Sequence, residues 1–305
     1  MKVLVFGSNG LVGSSIVEKL TSSERNFEVV ASTRKDTNLF SLDETYEKVY
    51  KEKADIVIIA AAKVGGIYAN NTQRFRFILD NLKISTNIFE ALSKFPKTKI
   101  INIGSSCIYP LDAENPIKEE SLMTGKLEPT NSPYSMAKLT SLELGRSLRD
   151  EKGHQVLNIM PTNLYGPNDN FEKLNSHVIP GLIFKMHEAV VNNYTSVEIW
   201  GSGKPLREFM HVDDLSSAIL FLLNNETEFD VLNIGTGEEV SIKSLANKIK
   251  NITGFTGELI FNERFPDGKT RKLLDSSKIN KLGWFPKISL DDGLSDTYEW
   301  YKKNI

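Results

Sequence analysis

The start of the chain most constrains its fold, because an apolar run, a glycine-rich turn and an amphipathic segment follow one another there. The apolar run spans residues 3–6 and the amphipathic segment residues 11–20. In such a strand–turn–helix unit, glycines permit a tight turn, close approach of a pyrophosphate and close helix–strand packing, while the helix N-terminus favours phosphate. The turn is therefore predicted to bind a dinucleotide, with the spacing GxxGxxG instead of the more general GxGxxG. It reads Gly7-Ser8-Asn9-Gly10-Leu11-Val12-Gly13.

The rest of the first half alternates short apolar runs with helical patterns. Residues 29–31, 56–59, 99–103 and 156–160 are predicted strands, and residues 70–92 and 134–149 are predicted helices. The run 56–59 is apolar at every position, as expected of a parallel strand buried on both faces. The pattern predicts an α/β fold of the Rossmann type, a doubly wound parallel sheet that binds ligands at the carboxyl ends of its strands.

After Pro161 this alternation gives way to loops rich in Asn, Gly and Pro. Helices are predicted at residues 179–190 and 212–223, strands at 197–200, 231–234 and 258–261, and a turn at 266–268. The strand 231–234 is expected to return to the main sheet. We therefore predict a dinucleotide-binding domain of residues 1–160 plus about 208–236. A smaller, interleaved α+β lobe for the substrate is predicted at about 161–207 plus 237–305.

Charge and cysteine content argue against several classes of function. The net charge of only −2 provides no field for binding nucleic acid or an anionic membrane. No apolar run approaches the roughly 18 residues of a membrane span, and the first residues lack the features of a secretory signal. Cys107 is the only cysteine, so an internal disulfide is impossible and a cytoplasmic location is expected. The histidines and carboxylates show no metal-ligand spacing, and no metal is expected.

The end of the second predicted strand indicates which dinucleotide binds. NAD sites usually carry an acidic residue there for the ribose 2′-hydroxyl. Here residues 31–35 read ASTRK, and Asp36 beyond them is expected to be a solvated loop charge. Arg34 can pair with a 2′-phosphate, so NADP(H) is predicted. The alternative is an ordinary surface Arg-Lys pair.

Three residues form a candidate centre for reduction. Tyr134 and Lys138 are four residues apart on a predicted helix, so their side chains share a face. Ser105 follows an apolar strand whose carboxyl end should face the same crevice. The lysine ammonium is expected to lower the pKa of the phenol, which could then exchange a proton with a substrate oxygen that the serine holds. A Tyr–Lys pair with this spacing also occurs by chance in many helices.

These motifs occur in the order found in the extended short-chain dehydrogenase/reductases, which the chain resembles. Within that group, longer stretches resemble the GDP-L-fucose synthase family. They are residues 60–66 (AAAKVGG), 104–110 (GSSCIYP), 127–134 (LEPTNSPY), 160–167 (MPTNLYGP), 169–171 (DNF), 175–180 (NSHVIP), 200–203 (WGSG), 207–209 (REF) and 211–214 (HVDD). The resemblance runs from near residue 1 to about residue 275.

The resemblance implies a substrate, GDP-4-keto-6-deoxy-D-mannose, whose C3 and C5 are inverted and whose C4 is reduced with NADPH to give GDP-L-fucose. A C4 ketone acidifies the protons on both neighbouring carbons, and inversion needs a base and an acid on opposite faces of the ring. By resemblance, Cys107 is the base and His177 the acid. Without the resemblance, Cys107 reads as a small buried apolar residue and His177 as a residue at a helix start.

The resemblance also implies which residues bind each ligand. Besides the glycine-rich turn and Arg34, the cofactor would contact Ala60, Ala61, Gly104, Ser105, Tyr134, Lys138, Pro161, Leu164 and His177. The substrate would contact Ser105, Cys107, Asn163, Lys185, Trp200, Arg207 and Asp267. A homodimer packed through the helices near 70–92 and 134–149 is expected.

The sequence leaves other functions open. One is another nucleotide-sugar enzyme of the same group, such as a UDP-sugar 4-epimerase or a 4,6-dehydratase acting on a UDP- or dTDP-sugar. A dehydratase would be expected to carry an acidic pair where Cys107 and Ile108 stand. Another is a non-catalytic NADP-binding sensor, against which the presence of Ser105, Tyr134 and Lys138 argues. A binding module for GDP-sugars is the least favoured.

Overall fold

A parallel sheet of six strands forms the centre of the protein in the computed structural model, which describes residues 1–172, 175–265 and 267–304. The strands are β1 Lys2–Phe6, β2 Glu28–Ser32, β3 Ile56–Ile59, β4 Lys99–Ile103, β5 Val156–Pro161, β6 Asn163–Tyr165, β7 Ser196–Trp200, β8 Leu206–Arg207, β9 Phe209–His211, β10 Val231–Ile234, β11 Val240–Ser241, β12 Glu258–Asn262 and β13 Arg271–Lys272. The helices are α1 Leu11–Thr21, α2 Leu42–Glu52, α3 Ile67–Thr72, α4 Arg74–Leu92, α5 Ser132–Lys152, α6 Val178–Val191, α7 Val212–Asn224, α8 Ile242–Thr253, α9 Ser277–Leu282 and α10 Leu290–Asn304.

The six strands lie in the order β10-β5-β4-β3-β1-β2, and each pairs in parallel with its neighbours. Side chains alternate between the two faces of a strand. In β1, Val3 and Val5 therefore pack into the core beneath α1 and α7, whereas Leu4 and Phe6 pack into the core beneath α2, α4 and α5. Helices cover both faces of the sheet, which confirms the predicted doubly wound α/β fold.

Two parts of the first half differ from the sequence-based expectation. The predicted helix 70–92 is divided into α3 and α4, because the backbone of Gln73 leaves helical geometry at φ −115° and ψ 31°. Helix α2 was not predicted, since its mean hydropathy is low and few of its side chains are buried. Its start is nevertheless well defined: the Ser41 side chain accepts a hydrogen bond from the Glu44 backbone N–H at 3.3 Å.

The second half contributes to the main sheet and also forms a core of its own. Strand β10 pairs with β5, as predicted, and α7 packs against α1. A separate hydrophobic core lies among α6, β7, α8 and α10, and includes Ile183, Ile199, Leu245 and Leu294. Small sheets β11-β8-β13 and β12-β7 accompany this core. The division into two interleaved domains stays a prediction, and Pro266 of the predicted turn lies outside the described residues.

None of the helices in the described part of the chain combines the length and the apolar character needed to cross a membrane.

Candidate active site

A cleft of about 1280 Å³ opens at the carboxyl ends of the central strands and continues between the sheet and the second core. With the exception of Ser8, every candidate cofactor-binding, catalytic and substrate-binding residue from the sequence lines this cleft. The residues come from loops after β1, β2, β3 and β4, from α5, and from the segment beyond β5. Parallel strands bring these distant parts of the sequence to one edge, as expected for ligand sites in doubly wound sheets.

The glycine-rich turn has the close packing that a dinucleotide site requires. A Cβ at Gly7 would come within 2.6 Å of the Ala61 nitrogen, and a Cβ at Gly13 would overlap the Gly7 backbone. Gly10 precedes α1, and no side chain caps the helix at this position. The first N–H groups of α1 therefore lack intrahelical partners and border the cleft. Such an uncapped helix start fits a phosphate group.

Ser8 is placed differently from its neighbours in the turn. Its backbone N–H donates to the Ser32 carbonyl at 3.2 Å, and its hydroxyl is buried without a partner among the described residues. The residue borders a shallow depression beside α1 instead of the main cleft. Ser8 therefore supports the turn through its backbone, and its contact with the cofactor stays a prediction.

The loop after β2 carries Arg34, the residue predicted to bind the 2′-phosphate of NADP(H). Arg34 is exposed at the edge of the cleft and forms no ion pair with any described residue. Asp36 is engaged instead in a local turn, where the backbone N–H and the hydroxyl of Thr33 donate to its carboxylate at 2.8 and 2.6 Å. These hydrogen bonds lower the pKa of Asp36, so it stays ionised without pairing with Arg34. The loop thus presents a cation to the cleft.

The three residues of the candidate reduction centre meet, but their titration differs from the expectation. Burial raises the pKa of the Tyr134 phenol, the nearby Cys107 sulfur raises it further, and the Ser105 hydroxyl opposes both effects. Burial also lowers the pKa of Lys138 to about 8. The Lys138 ammonium donates to the Ile103 carbonyl at 2.7 Å. The expectation that Lys138 lowers the pKa of Tyr134 is therefore wrong for this arrangement, because desolvation dominates at both groups.

Cys107 is held beside these residues by a short 3-10 helix that follows β4. The Ser105 hydroxyl accepts from the Cys107 N–H at 3.2 Å, and the Ser135 hydroxyl donates to the Cys107 carbonyl at 2.8 Å. The half-buried thiol lies 3.7 Å from the Lys272 ammonium on β13. Lys272 was not identified from the sequence. It lies near the end of the resemblance but outside its quoted motifs, and the contact with Cys107 spans 165 residues.

His177 reaches the cleft at the start of α6, where its backbone is extended and its side chain forms no cap. The imidazole is exposed to the cleft yet surrounded by protein atoms, and this desolvation lowers its pKa below 6.5. The positive charge of Lys272 lowers the pKa of His177 further. The neutral ring is thus favoured near pH 7. The protonated His177 imidazolium is a stronger acid than an ordinary imidazolium.

The loop after β3 positions the segment that carries His177. The Gly66 N–H donates to the Asn175 carbonyl at 3.0 Å, and a Cβ at Gly66 would overlap the Ser176 carbonyl oxygen. The Asn70 side chain donates to the Gly65 carbonyl at 2.6 Å and so fixes the paired glycines. The sequence pointed to residues 60–66 only through the resemblance, whereas the structure shows that Gly66 must be small.

Trp200 lies at the far end of the cleft, where two side chains contact its indole and the residue is still 40% exposed. The Lys185 ammonium lies 5.0 Å from the ring centroid, and Phe265 stacks at 4.6 Å with an interplanar angle of 16°. The Lys185 ammonium also donates to the Glu198 carbonyl at 3.0 Å. Trp200 can therefore provide an aromatic wall for a ligand in the cleft.

Arg207, Asp267 and Asn163 complete the predicted substrate contacts. Arg207 is half-buried, and burial lowers its pKa. Because the ordinary pKa of a guanidinium is far above neutral, Arg207 still carries its positive charge. The Asp267 carboxylate accepts from the N–H and hydroxyl of Ser202, both at 2.7 Å, which lowers its pKa. The Asn163 amide donates to the Glu208 carbonyl at 2.6 Å and holds the turn after β5. A cation and an anion are thus available at this end of the cleft.

The arrangement of a glycine-rich turn, an uncapped helix start and a buried Tyr–Lys pair agrees with one known family. The sequence model of the NAD dependent epimerase/dehydratase family matches residues 3–235. The chain belongs to that family. This membership confirms the resemblance to nucleotide-sugar enzymes that the sequence motifs indicated.

Within the NAD dependent epimerase/dehydratase family, the chain is similar to enzymes named GDP-L-fucose synthase. GDP-L-fucose synthase 1 of Arabidopsis thaliana is 48% identical over 305 residues, covering 100% of this chain and 94% of that protein. GDP-L-fucose synthase of Escherichia coli (strain K12) is 41% identical, covering 99% and 97%. A GDP-L-fucose synthetase structure from Naegleria fowleri bound to NADP has a TM-score of 0.91 at 30% identity, covering 99% of this chain and 94% of that one.

Groups of His, Cys, Asp or Glu side chains that could hold a metal ion do not occur among residues 1–172, 175–265 and 267–304.

Proposed function

We propose that the chain converts GDP-4-keto-6-deoxy-D-mannose to GDP-L-fucose by inverting C3 and C5 and reducing C4 with NADPH. One observation carries the proposal: the side chains of Ser105, Cys107, Tyr134, Lys138 and His177 all line the cleft that contains the glycine-rich turn. The similarity to enzymes named GDP-L-fucose synthase, over nearly the full length of both chains, supports the same substrate.

The residues of the cleft fit NADPH. The N–H groups at the start of α1 would bind the pyrophosphate, and Arg34 would pair with the 2′-phosphate. The rest of the cleft has a mostly apolar surface, formed by Ala60, Ala61, Gly104, Pro161 and Leu164. Bound NADPH supplies the hydride for C4. Because Ser8 and Asn9 provide no cation, the preference for NADPH over NADH depends on Arg34.

The groups around Ser105 would act on the C4 oxygen. The Ser105 hydroxyl and the Tyr134 phenol can both donate hydrogen bonds to it. Because burial raises the pKa of Tyr134, the phenol holds its proton until negative charge develops on that oxygen. The same two donors would stabilise the enolate of each epimerisation and the alkoxide of the reduction. Lys138, whose pKa is about 8, is an ammonium at lower pH and then adds positive charge to this region.

Cys107 and His177 would exchange the carbon-bound protons. A thiolate at Cys107 removes the proton from C3, and the C–H electron pair moves onto the C4 oxygen. The His177 imidazolium then delivers a proton to C3 from the opposite face, and the same sequence follows at C5. The lowered pKa of His177 makes its protonated form scarce near pH 7 but a ready donor. Solvent must restore both protonation states between the two inversions.

Two observations favour this function over the alternatives from the same family. Cys107 and Ile108 occupy the place where a 4,6-dehydratase would carry an acidic pair. A 4-epimerase requires neither Cys107 nor His177, yet both side chains border the cleft beside Tyr134. A non-catalytic sensor would have no use for a buried Tyr–Lys pair.

The proposed substrate is tested by NADPH oxidation with purified protein. We expect absorbance at 340 nm, the NADPH band, to fall only when GDP-4-keto-6-deoxy-D-mannose is added. UDP- and dTDP-linked 4-keto-6-deoxy sugars serve as matched controls that share the reacting ring. Equal rates with these controls would reject the assignment to GDP-sugars, and no oxidation with any of them would favour the sensor.

We also infer that the chain forms a homodimer and that it resides in the cytoplasm. A dimer through α4 and α5 is supported by the exposed apolar side chains of Phe75 on α4 and Met136 on α5. Light scattering of the purified protein should give twice the mass of one chain, and a monomer would contradict this inference.

A further inference from the structure

The Lys272 ammonium lies 3.7 Å from the Cys107 sulfur, and the proposed mechanism does not yet use it. Lys272 also borders the cleft, and its positive charge reaches His177. It therefore stands near both groups that would exchange protons with the sugar. A cation at this distance from a thiol favours the ionised sulfur, which is the form that acts as a base.

The backbone around Lys272 fixes its position. Strand β13 pairs with β8 in parallel, with Lys272 opposite Arg207, so the two side chains share a face towards the cleft. The adjacent Arg271 points to the other face, where its guanidinium pairs with Glu239 at 2.9 and 2.8 Å. The chain after Lys272 is anchored as well, since the Leu274 N–H donates to the buried Glu208 carboxylate at 3.0 Å.

The charged and titratable groups facing the thiol come from three elements. They are Tyr134 on α5, Arg207 on β8 and Lys272 on β13. Tyr134 is neutral, because burial raises its pKa. Arg207 interacts with the sulfur electrostatically and is directed towards the substrate end, where it also faces Asp267. Lys272 alone among these groups lies within hydrogen-bonding distance of the sulfur.

We propose that Lys272 is a positioning residue for the epimerisations, in which its ammonium holds the Cys107 sulfur as a thiolate directed into the cleft. The inference rests on the proposed function. When the thiolate takes a proton from C3 or C5, the sulfur becomes a neutral thiol and the electron pair of the broken C–H bond moves to the C4 oxygen. Lys272 acts through its position beside the sulfur, and solvent takes up the thiol proton before the next inversion.

Alkylation of the thiol tests this inference without substrate. Because the chain has one cysteine, iodoacetamide incorporation reports on Cys107 alone, and Cys107→Ser provides the unlabelled control. The rate is measured from pH 5.5 to 10. We expect Lys272→Met to alkylate about tenfold more slowly than the unmodified protein at pH 7, with its rate profile moved about one unit towards alkaline pH. Lys272→Arg should restore most of the rate.

Two matched measurements distinguish the positioning of Cys107 from a general effect of lost charge and from a role in diphosphate binding. Arg271→Met removes a neighbouring cation that points away from the cleft, and it should leave the alkylation profile unchanged. In solvent deuterium exchange at C3 and C5, Lys272→Met should lower kcat about tenfold, with KM and NADPH affinity within twofold. A raised KM with an unchanged alkylation profile would instead assign Lys272 to diphosphate binding and overturn the inference.

A folding defect in Lys272→Met does not remove the test. Melting temperature and NADPH affinity reveal such a defect, and the unmodified protein then decides through its own profile. A rate that rises only above about pH 8.5, the range of an ordinary thiol, would overturn the inference. If alkylation responds as expected but no GDP-keto sugar turns over, the proposed function fails while the electrostatic link between Lys272 and Cys107 stands.

Discussion

Tyr134 and Lys138 lie one helical turn apart on α5. Burial raises the pKa of Tyr134 and lowers that of Lys138, so it favours the neutral form of each group. The sequence predicted their proximity correctly, because residues four apart share a helix face. It could not predict the direction of the pKa shifts, because desolvation of both groups depends on how the rest of the chain packs around them. In the proposed mechanism, the phenol therefore donates a hydrogen bond to developing negative charge instead of reacting as a preformed tyrosinate.

The lowered pKa of Lys138 predicts a pH dependence of the reduction. The ammonium is present below pH 8 and is lost as pH rises through its pKa of about 8. We expect kcat/KM for NADPH-dependent reduction, which reports on the free enzyme, to fall up to tenfold per pH unit above that value. Lys138→Arg should move the fall to higher pH, since a guanidinium keeps its proton. A profile that stays flat to pH 10 in the unmodified protein would contradict this role of Lys138.

At the scale of elements, the loop after β3 illustrates how a segment without chemistry of its own positions a reacting group. The Lys63 backbone is clamped by Asn81, whose side chain accepts from the Lys63 N–H at 2.9 Å and donates to its carbonyl at 3.0 Å. Gly66 then meets residues 175–176 directly. The sequence marked this loop as a motif but gave no reason for its glycines, because the contact partner lies more than a hundred residues away.

Substitution of Gly66 tests this positioning. The φ of −66° and ψ of −178° suit alanine, so Gly66→Ala introduces a steric clash with the Ser176 carbonyl and no backbone strain. Displacement of His177 by about 1 Å should slow deuterium exchange at C3 and C5 by up to about a hundredfold. NADPH affinity should change less than twofold. Thr72→Ala, an exposed change on helix α3 that follows Gly66, is the control. Equal losses in both variants, or unchanged exchange in Gly66→Ala, would refute the steric account.

At the scale of the whole molecule, the fold was predictable because the relevant signals are local. The turn after β1, the buried run 56–59 and the largely apolar stretch 231–234 each indicate their structure within a few residues. Parallel pairing follows from the alternation of strands with helices. The break at Gln73 and helix α2 were not predicted, since a deviation at one residue and a weakly buried helix leave little hydrophobic pattern. The resemblance supplied what local patterns could not, namely Cys107 and His177.

The site was less predictable where its contacts join distant strands. Lys272 and Phe265, which stacks on Trp200, come from the last part of the chain, and their positions depend on how β12 and β13 pair with β7 and β8. Neither spacing nor composition specifies such docking. The contact of Ser8 with the cofactor stays a prediction: the residue lies in the turn, and its hydroxyl is buried without a partner among the described residues.

The central claim is that one cleft performs both inversions and the reduction, and product analysis by NMR in D₂O tests it most directly. The protein is incubated with GDP-4-keto-6-deoxy-D-mannose and NADPH. The account predicts GDP-L-fucose carrying deuterium at C3 and C5, donated by groups that exchange with solvent, and protium at C4, donated by NADPH. A reduced sugar that keeps its original hydrogens and configuration at C3 and C5 would contradict the account.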